Sequence, residues 1–338
     1  MRGLRFLGNK KVEIQEFPKP KAKDSNVVVK IEASALCGTD LPFYRAKKDI
    51  LGSIPGHELA GKVVEVDQTF YIKTGDRVVL NTQIGCGRCD YCRGGKMLFC
   101  ESMKTMGVTP GFDGGHADYV LIPEKDCLIL PDDIDYTIGS VIPDGVGVPY
   151  NVFEKIGIRG REEIAVFGCG PIGLGIILLA KFWGAKVIGI DINPYRLDLS
   201  KKLGADEAID ASKNNPVTLI KEMTDNKGVS KAIDCAGNTD VTINQALDSV
   251  KKGGKVVFVG EKEKVNIRNL REQIIHRELK IYGSCGYNLS NYGKLVSLIQ
   301  EGLPVEKLIT HKYLFEEADK AYREFEQGKT GKTVLIRK

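Results

Sequence analysis

Four cysteines crowd into fifteen residues of this 338-residue sequence: Cys86, Cys89, Cys92 and Cys100, spaced C-x2-C-x2-C-x7-C. Thiolates at such intervals on a tight loop can converge tetrahedrally on zinc with no position left open, which is a structural arrangement. A bacterial iron–sulfur cluster would bring its fourth cysteine after three residues and add a proline. Here the gap is seven and Glu101 follows. In a chain with no evident secretion signal, such crowding points to a metal rather than to disulfides. A second set of metal-capable residues is dispersed: Cys37 in Cys37-Gly38-Thr39-Asp40, and His57 in Gly56-His57-Glu58. A catalytic zinc needs a few ligands of mixed N, S and O character and one open position. Taken singly, a cysteine reads as core and His57 as a satisfied loop histidine. Cys127, Cys169, Cys235 and Cys285 have no companions at ligand spacing and read as small buried hydrophobes.

A third constellation is Gly168-Cys169-Gly170-Pro171-Ile172-Gly173, placed after an apolar run and before a helical pattern. The first glycine permits a tight turn, the second lets backbone approach a pyrophosphate, and the third lets helix and strand pack closely. The helix N-terminus adds free N–H groups and partial positive charge. The six-residue pattern alone is weak, but the next apolar run ends at Asp191, eighteen residues past Gly173. A carboxylate there accepts hydrogen bonds from ribose hydroxyls and repels a 2′-phosphate, which favours NAD over NADP. Arg196 lies nearby and leaves room for dual specificity; Val259, at the end of a later strand, completes the cofactor set. A bland role for Asp191 is a turn residue before Pro194.

The elements that must position these groups change character along the chain. Up to about residue 155, short runs recur at Val27–Ile31, Lys62–Val66, Arg77–Leu80, Tyr119–Ile122 and Leu128–Leu130. Glycine, proline and aspartate punctuate them, as in an antiparallel barrel or sandwich with long loops. Beyond it, the spacing predicts strands at Ile164–Phe167, Lys186–Ile190, Lys231–Cys235, Lys255–Val259 and Leu279–Tyr282. Helices are predicted at Ile172–Trp183, Arg196–Leu203 and Val241–Val250. That alternation argues for an α/β, doubly wound parallel sheet. Helical patterns at Tyr292–Gln300 and Glu316–Gln327 and a strand at Thr333–Arg337 then return the chain to the first domain.

Bulk composition narrows the partners. The chain is 42% hydrophobic and 28% charged, with net charge +5 and no basic block, so nucleic acid is not expected. Its apolar run Ile176–Ala180 is far short of a membrane span. No apolar core with a cleavage site follows Met1, and a cytoplasmic protein is expected.

The order Cys37-Gly-Thr-Asp, Gly-His57-Glu58, four-cysteine lobe, Gly114-Gly115 before Tyr119, and glycine turn resembles the zinc-containing medium-chain dehydrogenase/reductase family. The resemblance covers essentially the whole chain, including Thr310-His311 through Glu316 to Gly331-Lys332. It is nearest to the group of sorbitol and other polyol, threonine and butanediol dehydrogenases. It implies a GroES-like catalytic domain over 1–152 and 287–338, with a zinc lobe at about 85–101, and a Rossmann domain over 153–286. It also implies two zincs per chain, a small alcohol, polyol or sugar substrate, and a dimer or tetramer.

Residue by residue, the resemblance puts a catalytic zinc on Cys37 and His57, with Glu58 a direct or alternating ligand. It places a further acidic ligand at Asp144 in Ile142-Pro143-Asp144-Gly145, a stretch that also reads as an ordinary turn. Thr39 would accept the substrate proton. The relatives' relay histidine three residues later is Pro42 here, which has no proton to pass. His116 and His311 are read as loop or interface residues rather than relay groups. Where sorbitol-type enzymes carry arginine beside tyrosine, this chain has Gly286-Tyr287, which weakens sorbitol itself; Tyr287, Asn288 and Phe43 could still hold a polyol. The implied activity is oxidation of a secondary alcohol or polyol by hydride transfer to NAD. Aldose 1-dehydrogenase and threonine 3-dehydrogenase are the alternatives within enzymes, and a non-catalytic NAD-binding protein is the alternative outside them.

Overall fold

A computed structural model describes every residue except Asn238, Lys262 and Glu263. The chain divides into two compact units. One comprises 1–144, 288–296 and 309–338; the other comprises 145–287 and 297–308.

The first unit is built on a seven-stranded sheet. Its strands run Ile309–Leu314, Lys332–Ile336, Asn26–Ala35, Glu58–Glu65, Arg77–Leu80 and Cys127–Ile129, with Tyr119–Pro123 also paired to Asn26–Ala35. Neighbours are antiparallel except the first two, which run parallel. Val27, Val29 and Ile31 alternate into one core with Leu59, Val63, Val78, Leu80, Val120 and Ile122, as the two-residue period of a strand dictates. A second core gathers Leu4, Phe6, Tyr44, Phe315, Tyr322 and Phe325. The helix Ala318–Glu326 reaches that core through Ala318, Ala321, Tyr322 and Phe325, one face at 3- and 4-residue spacing.

The second unit holds a six-stranded parallel sheet. Its order is Glu207–Asp210, Lys186–Asp191, Glu163–Phe167, Val229–Asp234, Val250–Phe258, Lys280–Gly283. Ile164, Ala165, Val166 and Phe167 are wholly buried, because helices on the faces of a parallel sheet leave its middle strands no solvent side. The strand order reverses between Glu163–Phe167 and Val229–Asp234, and the ligand crevice of such sheets lies outside the carboxyl ends at that reversal.

Several elements have no counterpart in the sequence reading. The hairpin Arg2–Gly8 with Lys11–Glu16, the edge strand Glu207–Asp210, the helix Pro216–Met223 and the strand Ile309–Leu314 are short or polar, so their periodicity is faint. The stretch 136–156 is not a turn but a nearly continuous helical run: Tyr136–Val141, a π-helical segment Ile142–Gly147, and Val148–Ile156. Pro143 lacks an amide hydrogen and Gly145 and Gly147 are poor helix formers, so a regular α-helix is disfavoured at this point. The segment 297–308, assigned to the first domain from sequence, packs within the second unit.

Candidate active site

The dispersed residues meet in the first unit. One donor atom from each of Cys37, His57, Glu58 and Asp144 lies within 4.8 Å of the others. Cys37 ends the loop after Asn26–Ala35, His57 and Glu58 stand where the strand Glu58–Glu65 begins, and Asp144 is carried on the π-helical segment. Such widened turns are frequent at functional sites because they re-aim one side chain. Asp144 Oδ2 is 3.5 Å from both Cys37 Sγ and His57 Nε2. That separation is the edge of a tetrahedron with arms of about 2.1 Å, the usual zinc–ligand length.

Burial and charge favour a cation here. Cys37, His57 and Glu58 are almost wholly buried, and Glu58 Oε2 has no hydrogen-bond partner. Burial pushes the Cys37 thiol up despite His57 beside it. Burial also pushes the Glu58 carboxyl up to about 8, against the pull of Lys332. For Asp144 the same burial is outweighed by the hydrogen bond and charge of His57, which hold the carboxyl below its ordinary range. His57 is raised well above its usual value: burial opposes its charge, but Cys37, Asp144 and Asp40 overcome it. The anionic neighbours thus hold a positive charge on His57 against its burial, a role that a divalent ion would also fill. The donor set of thiol, imidazole and carboxylate suits zinc.

Two residues with no assigned role support this cluster. Asp40, wholly buried, sets Oδ1 3.5 Å from His57 Nδ1 and accepts at Oδ2 from the Cys37 amide at 3.0 Å and from the Tyr322 hydroxyl at 3.2 Å. Its signal was present in Cys-x-x-Asp, a spacing that folds the side chain back on its own turn. Lys332 forms an ion pair with Glu58 although it is 1% exposed; nothing local in the sequence marks it. Thr39 places its hydroxyl 3.5 Å from Cys37 Sγ. His116 lies in a loop, as read, but it is wholly buried there, 3.0 Å from Ser34 Oγ, and burial lowers its pKa to about 4. His311 lies in a strand, its ring stacked on Tyr313.

Cys86, Cys89, Cys92 and Cys100 also converge, with their sulfurs within 4.8 Å of one another. The loop is preformed by its own thiols: Cys89 Sγ accepts from the Cys92 amide at 3.4 Å, and Cys100 Sγ from the Cys86 amide at 3.3 Å. Amide hydrogen bonds from Arg88 and Cys89 lower Cys86 to about 6, which favours the thiolate that a metal needs. Of the remaining cysteines, Cys127 and Cys169 are buried and Cys235 is half-buried. Cys285 is exposed, contrary to its reading as a core residue.

In the second unit the glycine turn leaves Glu163–Phe167 and opens the helix Pro171–Phe182. Gly168 has φ +89°, and a Cβ on Gly173 would overlap the Gly168 carbonyl oxygen; both positions need glycine for the fold itself. Gly170 differs. A Cβ there would meet nothing nearer than Arg196 Nη1 at 4.0 Å, so its bareness leaves room for something other than protein. Asp191, at the end of its strand, accepts from the Cys169 amide at 2.7 Å through Oδ2, and from the Ile192 and Asn193 amides at 2.8 and 2.9 Å through Oδ1. It therefore holds the turn and keeps one spare lone pair, on Oδ2. Val259 follows the carboxyl end of the strand Val250–Phe258, and Tyr287 packs against Gly147.

The comparisons agree with this architecture. The alcohol dehydrogenase GroES-like domain model matches residues 23–132, and the zinc-binding dehydrogenase model matches 171–301. An uncharacterized zinc-type alcohol dehydrogenase-like protein, YphC of Escherichia coli K12, is 34% identical, over 97% of this chain and 96% of its own. L-threonine 3-dehydrogenase of Alteromonas mediterranea is 32% identical over 98% of each chain. Among solved structures, alcohol dehydrogenase TADH from Thermus sp. ATN1 superposes with a TM-score of 0.93 at 27% identity, covering 99% of both chains. The chain belongs to the zinc-containing alcohol dehydrogenase family of medium-chain dehydrogenases/reductases, with a GroES-like and a Rossmann-type fold. Among the described residues, no helix is long and apolar enough to cross a membrane.

Proposed function

We propose that the chain oxidises a secondary alcohol or polyol to a ketone with NAD, using a zinc ion held by Cys37, His57 and Asp144 with Glu58 at hand, and a second, structural zinc in the four-cysteine lobe. The reading rests above all on the buried thiol–imidazole–carboxylate cluster, whose donors lie within 4.8 Å of one another. Zinc supplies Lewis acidity to an alcohol oxygen, and nicotinamide accepts the hydride. The protein's part is to bind, orient and move a proton. Asp40 Oδ1 faces His57 Nδ1 at 3.5 Å, on the side from which a carboxylate orients a ligand histidine. Thr39 Oγ1, beside Cys37, takes the hydroxyl proton. Pro42 has no proton to pass, so the side chain at that position would not extend the route.

Gly168, Gly170, Pro171, Ile172 and Gly173 form the pyrophosphate cradle in this reading, bounded by Asp191, Arg196 and Val259. The Asp191 carboxylate favours NAD over NADP. The first unit is then the catalytic domain and the second the cofactor domain. The reading extends to a cytoplasmic dimer or tetramer, as the family resemblance implies. A second reading is threonine 3-dehydrogenase, favoured by the 32% identity to that enzyme. Threonine is itself a secondary alcohol, so the same site would serve.

The test is metal content and NADH formation across secondary alcohols, polyols, aldoses and threonine, for wild type and Cys37→Ser. The expected result is about two zincs per wild-type chain, about one per variant chain, and activity lost by three orders of magnitude or more. Full turnover by a variant holding only the lobe metal would overturn the mechanism.

A further inference from the structure

Phe6, Tyr44, Phe315, Tyr322 and Phe325 pack together in the second core of the first unit. A phenyl ring would fill the place of Tyr322 as well as a phenol does: the ring lies edge-on to Phe6 at 5.2 Å and stacked on Tyr44 at 5.4 Å. The hydroxyl of this wholly buried side chain costs free energy unless it is bonded. Among the described residues that bond goes to Asp40 Oδ2, at 3.2 Å and across 282 positions. The other oxygen, Asp40 Oδ1, and His57 Nδ1 are both buried without a hydrogen-bond partner, and they face each other at 3.5 Å. We propose that Tyr322 is a positioning residue that holds the Asp40 carboxylate in the plane from which it orients His57, and so governs how tightly the mixed cluster grips its metal. This inference rests on the metal-binding reading above.

Rotation about the last bond of an aspartate is soft. The Cys37 amide, 3.0 Å from Oδ2, belongs to the same turn and anchors one oxygen, about which the carboxylate can still pivot. Tyr322 approaches that oxygen from the helix Ala318–Glu326, and a second donor on a separate element removes the pivot. His57 has little freedom of its own with which to compensate. Gly56 before it has φ +97°, and a Cβ there would overlap the His116 ring. That ring is fixed in turn by Ser34 Oγ at 3.0 Å and by an edge-to-face contact with Tyr322 at 6.0 Å. The turn that carries His57 and the carboxylate that faces its ring are thus separate supports, and Tyr322 touches both.

Tyr322→Phe removes the hydroxyl and leaves the ring packing, and its effect is read in metal binding rather than turnover. Affinity for the Cys37-dependent zinc, measured by competition with a chromophoric chelator, is expected to fall about three- to tenfold, with the lobe metal retained. The cobalt-substituted variant is expected to show d–d bands displaced from those of wild type. In the double variant Y322F/D40N the loss beyond D40N alone is expected to stay within about 1.5-fold, because the hydroxyl acts only through that carboxylate. Tyr44→Phe is the packing control: it takes the hydroxyl from the ring stacked on Tyr322, and its zinc affinity is expected to stay within about 1.5-fold of wild type. Unchanged affinity or unchanged bands in Y322F overturn the proposal. So does a loss of the same size in Y44F, or one that persists in full beside D40N. If Y322F does not fold, the Cζ resonance of Tyr322 in wild type with isotope-labelled tyrosine decides. It is expected to shift on zinc binding and not to shift in Cys37→Ser; a resonance indifferent to that zinc overturns the proposal. A wild-type protein with no Cys37-dependent metal would instead defeat the metal-centre reading itself.

Discussion

In the four-cysteine lobe, all donors come from fifteen residues, and short turns suffice to bring them together. Cys89 caps the helix Asp90–Arg93 with its own sulfur, and Cys100 accepts from the amide of Cys86. The mixed cluster is assembled differently. Cys37 and Asp144 meet at 3.5 Å across 107 positions, and Lys332 reaches Glu58 across 274. Donors brought together locally saturate one another and close the centre. Donors drawn from separate elements can differ in type and in encumbrance, which is what an open coordination position needs. A third carboxylate serves as the contrast. Glu124 Oε1 accepts from the amides of Phe70, Tyr71 and Ile72 at 2.7, 2.7 and 2.9 Å, and so needs no cation.

The comparison is most directly broken at the lobe. Cys92→Ser is expected to abolish lobe metal binding, and residues 85–105 should then lose hydrogen-exchange protection while both sheets keep theirs. Loss of the Cys37-dependent zinc as well would show that the two centres are not independent. Asp40→Asn touches only the mixed cluster. Its zinc affinity should fall about 10- to 100-fold with the lobe metal retained, as read by competition with a chromophoric chelator. An unchanged affinity would leave Asp40 a structural residue alone.

The smallest effect is expected at Glu124. Burial raises its carboxyl, but the amides of Tyr71, Ile72 and Phe70 more than offset this and hold it below its ordinary 4.5. The folded state therefore binds that proton less readily than the unfolded chain. Its stabilisation is complete well above 4.5 and is lost as pH falls through the lower folded value. Glu124→Gln should lower stability at pH 7 by about 1–3 kcal/mol. The difference from wild type should shrink as pH falls below 4.5 and through that lower folded value, as read by urea titration at each pH. A deficit constant with pH would mean that the ionised carboxylate is not what secures the loop.

Legibility followed the same division between near and far. Apolar runs such as Ile164–Phe167 and Val187–Ile190 stand out because burial on both faces leaves no polar residue within them. The edge strand Glu207–Asp210, with its exposed Glu207, carries no such pattern. Asn215-Pro216, a capping residue followed by an N1 proline, did announce the helix Pro216–Met223, but its eight residues gave too short a period to read. The π-helical turn under Asp144 could not be read, because Pro-Asp-Gly has the same composition whether it turns or widens a helix.

The sequence by itself determined what depends on neighbours along the chain: the cysteine spacing, the glycine turn with Asp191 one strand later, and the alternation that builds a parallel sheet. Tertiary structure decided what depends on distance through space: the union of Cys37, His57, Glu58 and Asp144, the backing of His57 by Asp40, and the burial of Lys332 against Glu58. The reason is the range of the forces. Turns and periodicity are set within a few residues, whereas the charge on a buried group is fixed by whichever side chains the folded sheet places beside it.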